Sequence, residues 1–255
     1  MREFPPLGRT GIDSGHRIRH DRGVAEDFYT GGAYLERNPT WHVEDSAWKV
    51  RHVKSMLTRH DLRPRTVCEV GCGAGEILRL LREELPAATE FVGYEISSQA
   101  YELAVTRQTD RLRFELADLT TVDGVHFDLI LIMDVIEHLE DYHSFLRALK
   151  DKAEHLLLHI PLDLSSLSVA RPHALKEPHD TLGHIHFFIK DTALQALEDS
   201  GWQVVDWFYT YSGEPGPDSR GKSRLLHLSR TGLGRIDTDL AVRLLGGHSL
   251  MALTC

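Results

Sequence analysis

The stretch VCEVGCGAG (residues 67–75) decides the fold of this chain. Its first half is an apolar run with the length of a buried strand, and its second half is a tight loop in which Gly71, Gly73 and Gly75 alternate with other residues. The amphipathic pattern of EILRLLREEL (76–85) then predicts a helix, and the apolar run FVGYE (91–95) predicts a second strand. Glycines let the backbone approach a ligand closely, and a helix N-terminus presents free amide groups to it. The stretch therefore predicts a β-α-β unit whose loop binds a ligand.

The alternation of strands and helices continues along the rest of the chain. Further strands are predicted at 112–118, 127–134, 155–160, 203–210 and 248–254, and further helices at 44–60, 97–108, 142–150 and 190–202. Such alternation favours a parallel sheet with right-handed crossovers. We therefore predict a doubly wound, Rossmann-like α/β fold with a mostly parallel seven-stranded sheet and an antiparallel C-terminal strand.

The regions outside this alternation predict the domain organisation. Residues 1–60 are expected to form an N-terminal arm and lid helices, and residues 61–255 the main domain. The Pro-containing segment 161–185 is too long for a bare connector, so we predict an active-site loop there, and an insertion at 212–246. The aromatic residues Tyr29, Tyr34, Trp41 and Trp48 are candidates for the lid, with core packing as the alternative for Trp48.

Composition limits the classes of protein and partner. The 255 residues carry a formal net charge of −9 and are 42% hydrophobic, which is typical of a soluble globular domain. No apolar run approaches the roughly 20 residues that span a bilayer, and the first residues lack the apolar core of a secretory signal. Three cysteines form no disulfide or metal framework, so we expect a cytoplasmic location. The chain has no run of Lys and Arg of the kind that indicates nucleic-acid binding, so a small-molecule partner is favoured over nucleic acid. We expect no membrane partner.

Two acidic residues, Glu95 and Glu76, limit the kinds of ligand that the glycine loop can bind. Glu95 ends the second predicted strand, where a carboxylate binds ribose hydroxyls in dinucleotide-binding folds. The dinucleotide fingerprint, however, requires a small residue where this chain has Glu76, and a carboxylate at a helix start would repel a pyrophosphate. The loop therefore favours a ligand with a ribose and no phosphate.

Four segments resemble the motifs of class I S-adenosylmethionine (SAM)-dependent methyltransferases, in the order and spacing of that family. They are VCEVGCGAG, GYE, ELADL and FDLILIMDVIEHLED, and the resemblance covers roughly residues 50–210. The last of them is most similar to the ubiquinone-pathway O-methyltransferase branch. The resemblance implies SAM as the cofactor, with the methionine part at the glycine loop, the ribose at Glu95 and the adenine at Asp118. The cofactor-binding residues it implies are Glu69, Gly71, Cys72, Gly73, Gly75, Glu95, Ile96, Asp118, Leu119 and Asp134.

The chemistry of methyl transfer directs attention to histidines near the strand ends. SAM carries an activated methyl group, so the protein has mainly to position the acceptor and remove its proton. We predict His184, then His138, then His186 as the general base, because imidazole titrates near neutral pH. This favours O-methylation of a small molecule such as a sugar, glycan precursor or specialised metabolite. N-methylation of a small molecule and a non-catalytic SAM-binding protein are the alternatives.

A metal-dependent enzyme is a further alternative. The pattern Asp134-x-x-Glu137-His138 resembles the E-x-x-E-H of ubiquinone-pathway O-methyltransferases and small-RNA 2′-O-methyltransferases, some of which use a metal. By that resemblance Asp134, Glu137, His138 and His184 would be the ligands. Asp replaces the first Glu, and the neighbouring residues of the RNA enzymes are absent. The sequence therefore favours a site without a metal.

Overall fold

The computed structural model of the chain describes residues 38, 40–41, 43–211 and 222–255, with side chains from 227 onward in the last range. Tyr29, Tyr34 and most of the predicted N-terminal arm lie outside the described residues, as does the start of the predicted insertion. None of the helices in the described part of the chain has the length and apolar character needed to cross a membrane.

A seven-stranded sheet organises the structure, with strand order β3-β2-β1-β4-β5-β7-β6. The strands are β1 (Thr66–Val70), β2 (Glu90–Glu95), β3 (Leu112–Leu116), β4 (Phe127–Met133), β5 (Ala153–Leu162), β6 (Val204–Thr210) and β7 (His248–Thr254). Strands β1 to β5 are parallel, whereas β7 runs antiparallel to both β5 and β6. The prediction of a doubly wound, mostly parallel sheet with an antiparallel C-terminal strand is confirmed.

The chain order of the strands reverses between β1 and β4. In open α/β sheets a ligand crevice forms at such a point, outside the carboxyl ends of the strands. The loops that follow β1, β2 and β4 therefore meet at one edge of the sheet.

Helices flank the sheet, and a side chain caps the first turn of four of those that the structure describes. They are α1 (Val43–Arg59), α2 (Glu76–Glu84), α3 (Ser98–Ala104), α4 (Tyr142–Ala148), α5 (Ser166–Ala170), α6 (Lys176–Leu182), α7 (Lys190–Asp199), α8 (Lys222–Gly234) and α9 (Thr238–Leu245). Side chains of Ser97, Asp141, Ser165 and Asp237 accept a hydrogen bond from the first turn of α3, α4, α5 and α9. Such caps stabilise a helix by about 1 kcal/mol each.

Strand β4 shows why the sheet is covered on both faces. Ile130 and Ile132 pack into one apolar cluster, and Leu129, Leu131 and Met133 pack into a second one on the opposite face. Successive side chains of a strand point to opposite faces, so a nearly continuous apolar run needs helices on both sides. This burial holds the strand ends in a fixed arrangement around the crevice.

The predicted loop at 161–185 proves to contain regular structure. Strand β5 extends to Leu162, and helices α5 and α6 occupy most of the remaining segment. Ser165 and Ser168 form a reciprocal cap at the start of α5, and Gly183 ends α6 in a left-handed conformation. The segment predicted as an insertion at 212–246 contains α8 and α9.

Candidate functional site

A cavity of about 340 Å³ opens at the carboxyl ends of the central strands. The glycine loop after β1, the end of β2, the turn after β4, the first turns of α1 and the residues after α6 all contribute to its wall. Its lining includes Trp41, Asp45, Ser46, Trp48, Lys49, Glu69, Gly71, Cys72, Gly73, Glu95, Ile96, Asp134, Glu137, His138, His159, Leu182 and His184. Most of the residues predicted for cofactor binding and catalysis thus surround one space.

The glycine loop forms one wall of this cavity. Gly71 (φ +66°) and Gly73 (φ +53°) adopt the left-handed region that favours glycine. The amides of Gly71 and Cys72 donate hydrogen bonds to the Tyr94 carbonyl oxygen at 2.9 and 3.1 Å. These bonds tie the loop to β2 and leave its backbone facing the cavity.

Glu95 at the end of β2 is held by three backbone amides. One carboxylate oxygen accepts a bond from Gly73 at 2.8 Å, and the other accepts bonds from Ile96 and Ser97 at 2.9 and 2.8 Å. Burial raises the pKa of this carboxyl, and the three amide bonds oppose that rise. The arrangement fixes the carboxylate beside the glycine loop, where ribose hydroxyls can reach it.

Glu69 at the end of β1 is a buried carboxylate at the floor of the cavity. Burial raises its pKa to about 8, with Lys49 lowering it and Glu95 raising it further. Its Oε2 atom has no hydrogen-bond partner. A buried carboxylate without a partner is suited to receiving a cationic ligand group.

A cluster of Lys49, Asp134 and His159 joins α1 to strands β4 and β5. The Lys49 Nζ atom lies 2.6 Å from one Asp134 oxygen, and His159 Nδ1 lies 2.5 Å from the other. His159 Nε2 is 2.9 Å from the Thr210 hydroxyl. Burial raises the pKa of Asp134, but His159 and Lys49 outweigh it and hold that pKa well below its usual range. Asp134 is thus an ionised partner of α1 and β5.

A third group combines Glu137, His138 and His184, one ligand atom of each lying within 4.8 Å of the others. His184 Nδ1 is 2.7 Å from Asp163 Oδ2, which leaves Nε2 for other partners. Burial and His184 lower the pKa of His138 to about 4. Burial and Asp134 raise the pKa of Glu137 well above its usual value, and neither of its carboxylate oxygens has a hydrogen-bond partner. These residue types can hold a metal ion.

Four predicted site residues lie outside the lining of the cavity. Asp118 accepts bonds from the Thr120 amide and hydroxyl at 2.8 and 2.7 Å and so caps a short turn. Leu119 is buried in the apolar core. His186 Nε2 bonds to the Leu139 carbonyl oxygen at 2.9 Å. Gly75 packs so closely against Phe114 that an added Cβ would overlap the ring.

Sequence reasoning missed Lys49 and Asp163, which contact the predicted site residues Asp134 and His184. Lys49 lies on the correctly predicted helix α1, but nothing in the sequence connects it to Asp134, 85 positions later by number. Asp163 follows β5 and contacts His184, although helices α5 and α6 lie between the two residues in the sequence. For Asp163 the only signal was a carboxylate shortly after a predicted strand, which many surface residues share, and for Lys49 there was none.

Comparison with protein families identifies the fold and its class of chemistry. A sequence profile described as a methyltransferase domain matches residues 42–206. The chain belongs to this methyltransferase family. The prediction of a class I SAM-dependent methyltransferase is confirmed, whereas the ubiquinone-pathway branch is not specifically shown. No curated protein matches the chain significantly in sequence.

Solved structures share the architecture of this methyltransferase at low sequence identity. A chain from the complex of the Haloferax volcanii Trm112 methyltransferase activator with a methyltransferase has a TM-score of 0.60 at 16% identity, covering 91% of this chain and 96% of that one. Magnesium protoporphyrin IX methyltransferase from Synechocystis, solved with bound SAH, has 0.57 at 17% identity, covering 91% and 97%. The plantazolicin methyltransferase BpumL, also with SAH, has 0.58 at 15% identity, covering 90% and 93%. They confirm the fold.

Proposed function

We propose that this methyltransferase binds SAM in the cavity and methylates an oxygen atom of a small molecule, such as a sugar, glycan precursor or specialised metabolite. The observation that carries the proposal is the continuity of the cavity. It joins the glycine loop and Glu95 at one end to the cluster of Glu137, His138 and His184 at the other. A cofactor and an acceptor can therefore meet within one continuous space.

The residues around the glycine loop fit the parts of SAM. Glu69, with its unpartnered oxygen, would hold the ammonium of the methionine part beside Gly71, Cys72 and Gly73. Glu95 would hold the ribose hydroxyls, and the half-exposed Ile96 would contact the adenine. Asp118 and Leu119 follow β3, whose end pairs with the end of β2 at Glu95. An adenine ring that contacts these two residues would extend beyond the residues that line the cavity. Bound here, SAM supplies a methyl group on a sulfonium centre.

His184 has the geometry of the residue that takes a proton from an acceptor hydroxyl. Asp163 bonds to Nδ1 at 2.7 Å, which orients the ring and leaves Nε2 as the proton acceptor. His138 ranks second, because Gly183 and Glu137 already surround it. His186 ranks third, because it lies outside the cavity lining and bonds to a carbonyl oxygen. An oxygen acceptor needs this proton removal, which supports O-methylation over N-methylation.

The cofactor assignment is tested by calorimetry with the purified chain. SAM should bind and NAD should give no signal. Glu95→Ala should weaken SAM binding by about 1–3 kcal/mol, the cost of losing hydrogen bonds to a charged group. Glu102→Gln, on the exposed face of α3, is the control and should bind SAM like the wild type. NAD binding without a SAM signal would refute the assignment.

The reaction is tested with methyl-deuterated SAM and panels of hydroxyl and amine acceptors, the labelled atom being located by mass spectrometry and NMR. The label is expected on oxygen. His184→Ala should lower kcat by roughly 10²–10⁴-fold with SAM affinity nearly unchanged, whereas the matched His186→Ala should have a much smaller effect. Label found only on nitrogen would refute O-methylation.

A further inference from the structure

Glu69 is a buried carboxyl group at the end of β1, directly before the glycine loop, and it lines the cavity with 2% exposure. Its Oε2 atom has no hydrogen-bond partner among the described residues. The residues that pair with it on β2 and β4 are Gly93 and Leu131, which offer no polar side chain. Burial without a partner favours the uncharged form of a carboxyl group, so Glu69 carries a proton before the cofactor binds.

The charged groups around Glu69 leave that proton in place. Among the described residues that line the cavity, Lys49 on α1 is the only Lys or Arg. Its Nζ atom lies 2.6 Å from Asp134 Oδ2, so its charge is already paired. Lys49 lowers the pKa of Glu69, but burial and the Glu95 carboxyl on β2 raise that pKa to about 8. The carboxyl group is therefore uncharged at neutral pH.

The other titratable groups near Glu69 supply no cation for it. The thiols of Cys68 on β1 and Cys72 in the glycine loop are buried, and burial raises the pKa of both well above the usual value. Asp45 on α1 is a further carboxylate, and its charge raises the pKa of Lys49. A cation that pairs with Glu69 must therefore come from a ligand.

We propose that the chain releases about one proton when it binds SAM, because Glu69 exchanges its proton for the ammonium group of the cofactor. Before binding, the carboxyl group and the ammonium group each hold a proton that they can lose. In the complex they form a carboxylate–ammonium pair that shares one such proton, and the other passes from Glu69 to the solvent. The inference rests on the proposed position of the methionine part beside the glycine loop.

Cofactor affinity therefore depends on pH. Protons compete with the ammonium group for Glu69, so binding is weakest at low pH and strengthens as the pH rises. Release of one proton corresponds to an increase in affinity of about five- to tenfold from pH 6 to pH 7. The increase ends as the pH passes about 8, because Glu69 has then lost its proton before the cofactor arrives.

The proposal is tested by titration calorimetry of the full chain at about pH 6.5, in phosphate and in imidazole buffer, whose protonation enthalpies differ. The probes are SAH (S-adenosylhomocysteine), which has the amino-acid end of the cofactor, and 5′-methylthioadenosine, which lacks it. Binding of SAH should release about one proton more than binding of 5′-methylthioadenosine. Both ligands carry the ribose, so any proton exchanged at Glu95 cancels in this difference.

Two variants separate Glu69 from the rest of the chain. Glu69→Gln should release no more protons with SAH than with 5′-methylthioadenosine, because glutamine has no proton to exchange. Its affinity for SAH should change little with pH between about 6 and 7. Glu102→Gln, at an exposed position on α3, is the matched control and should release the same number of protons as the wild type.

Equal proton release for the two ligands in the wild type would overturn the proposal, and so would full release in Glu69→Gln. Melting curves show whether Glu69→Gln folds, and if it does not, the two ligands compared in the wild type decide the matter. Binding of SAH without proton release overturns this inference and leaves the cofactor assignment and O-methylation standing. The absence of SAH binding would instead refute the proposed cofactor site together with this inference.

Discussion

Glu69 is a residue whose charge state depends on the fold. Its carboxyl is buried at the end of β1, and that burial raises its pKa to about 8 against the opposing effect of Lys49. Glu95 is the other carboxylate facing it. Because the pKa is raised in the folded state, its contribution to stability is fully present below about pH 4.5 and is lost as the pH rises through about 8.

Glu69→Gln should remove this dependence. The variant should gain melting temperature relative to the ligand-free wild type as the pH rises from 5 to 8, since glutamine carries no charge to bury. Melting curves at several pH values measure the difference. Glu102→Gln, at an exposed position, is the control and should follow the wild type at each pH. A constant difference between Glu69→Gln and wild type across this range would contradict the assignment.

Gly75 is required by its left-handed backbone conformation and by close packing. Its φ is +77°, and an added Cβ would overlap the ring of Phe114 and lie 3.3 Å from Ala104. Gly75→Ala should therefore lose about 1–2 kcal/mol from the left-handed backbone and a further 1–3 kcal/mol from overpacking. Urea unfolding measures the sum of these two losses. Gly201→Ala is the matched control, because Gly201 has φ +87° with open space around it and should show only the backbone loss. Equal losses would show that Phe114 yields freely.

At the scale of elements, Asp239 links α9 to the sheet. Its carboxylate accepts bonds from Lys190 at 2.5 Å, from the Tyr209 hydroxyl at 2.6 Å and from Arg243 at 2.6 Å. These bonds hold the pKa of Asp239 well below its usual value. The first two partners come from α7 and β6, so one side chain connects three elements.

Asp239→Ala should destabilise the fold by roughly 1–3 kcal/mol, because Lys190 and Tyr209 would lose their shared acceptor. Asp180→Ala is the control, since its pair with Lys176 is a solvent-screened surface contact within α6. Urea denaturation compares the two variants. A loss for Asp239→Ala no larger than for Asp180→Ala would show that the network adds little to the docking of α9.

The elements that the sequence predicted best are those with a strong pattern. Strand β4 and strand β7 were predicted almost to the residue, because a short run of mostly apolar residues leaves few alternatives. Helices α5 and α6 were missed, because neither buries a side chain and so neither shows an apolar face in the sequence, and Pro178 favours a loop. Pro178 is tolerated since it lies in the first turn of α6.

At the scale of the whole molecule, the predicted site was assembled only in part. The glycine loop and Glu95 are close in sequence to the strands that position them, so the motif sufficed. The contacts of Lys49 with Asp134 and of Asp163 with His184 join elements that no local pattern connects. Sequence could propose the histidines, but only the fold shows that His184 has a carboxylate partner and His186 lies outside the cavity.

The cavity wall predicts how the whole molecule responds to SAM. Besides the glycine loop, the wall includes the first turns of α1, through Asp45 and Lys49, and the end of α6 with the residues after it, through Leu182 and His184. A ligand that binds only the folded state stabilises it by about 2.7 kcal/mol at 100 times its Kd, and the gain is felt wherever local opening would release the ligand. Hydrogen exchange with saturating SAM should therefore slow not only in the glycine loop but also in residues 43–49 and 182–186. Peptides from α9, none of whose residues lines the cavity, serve as the reference and should change little. Protection confined to residues 71–77 and 95–97 would mean that α1 and the segment after α6 stay open over the bound cofactor, and the acceptor would then meet the methyl group in a site exposed to water.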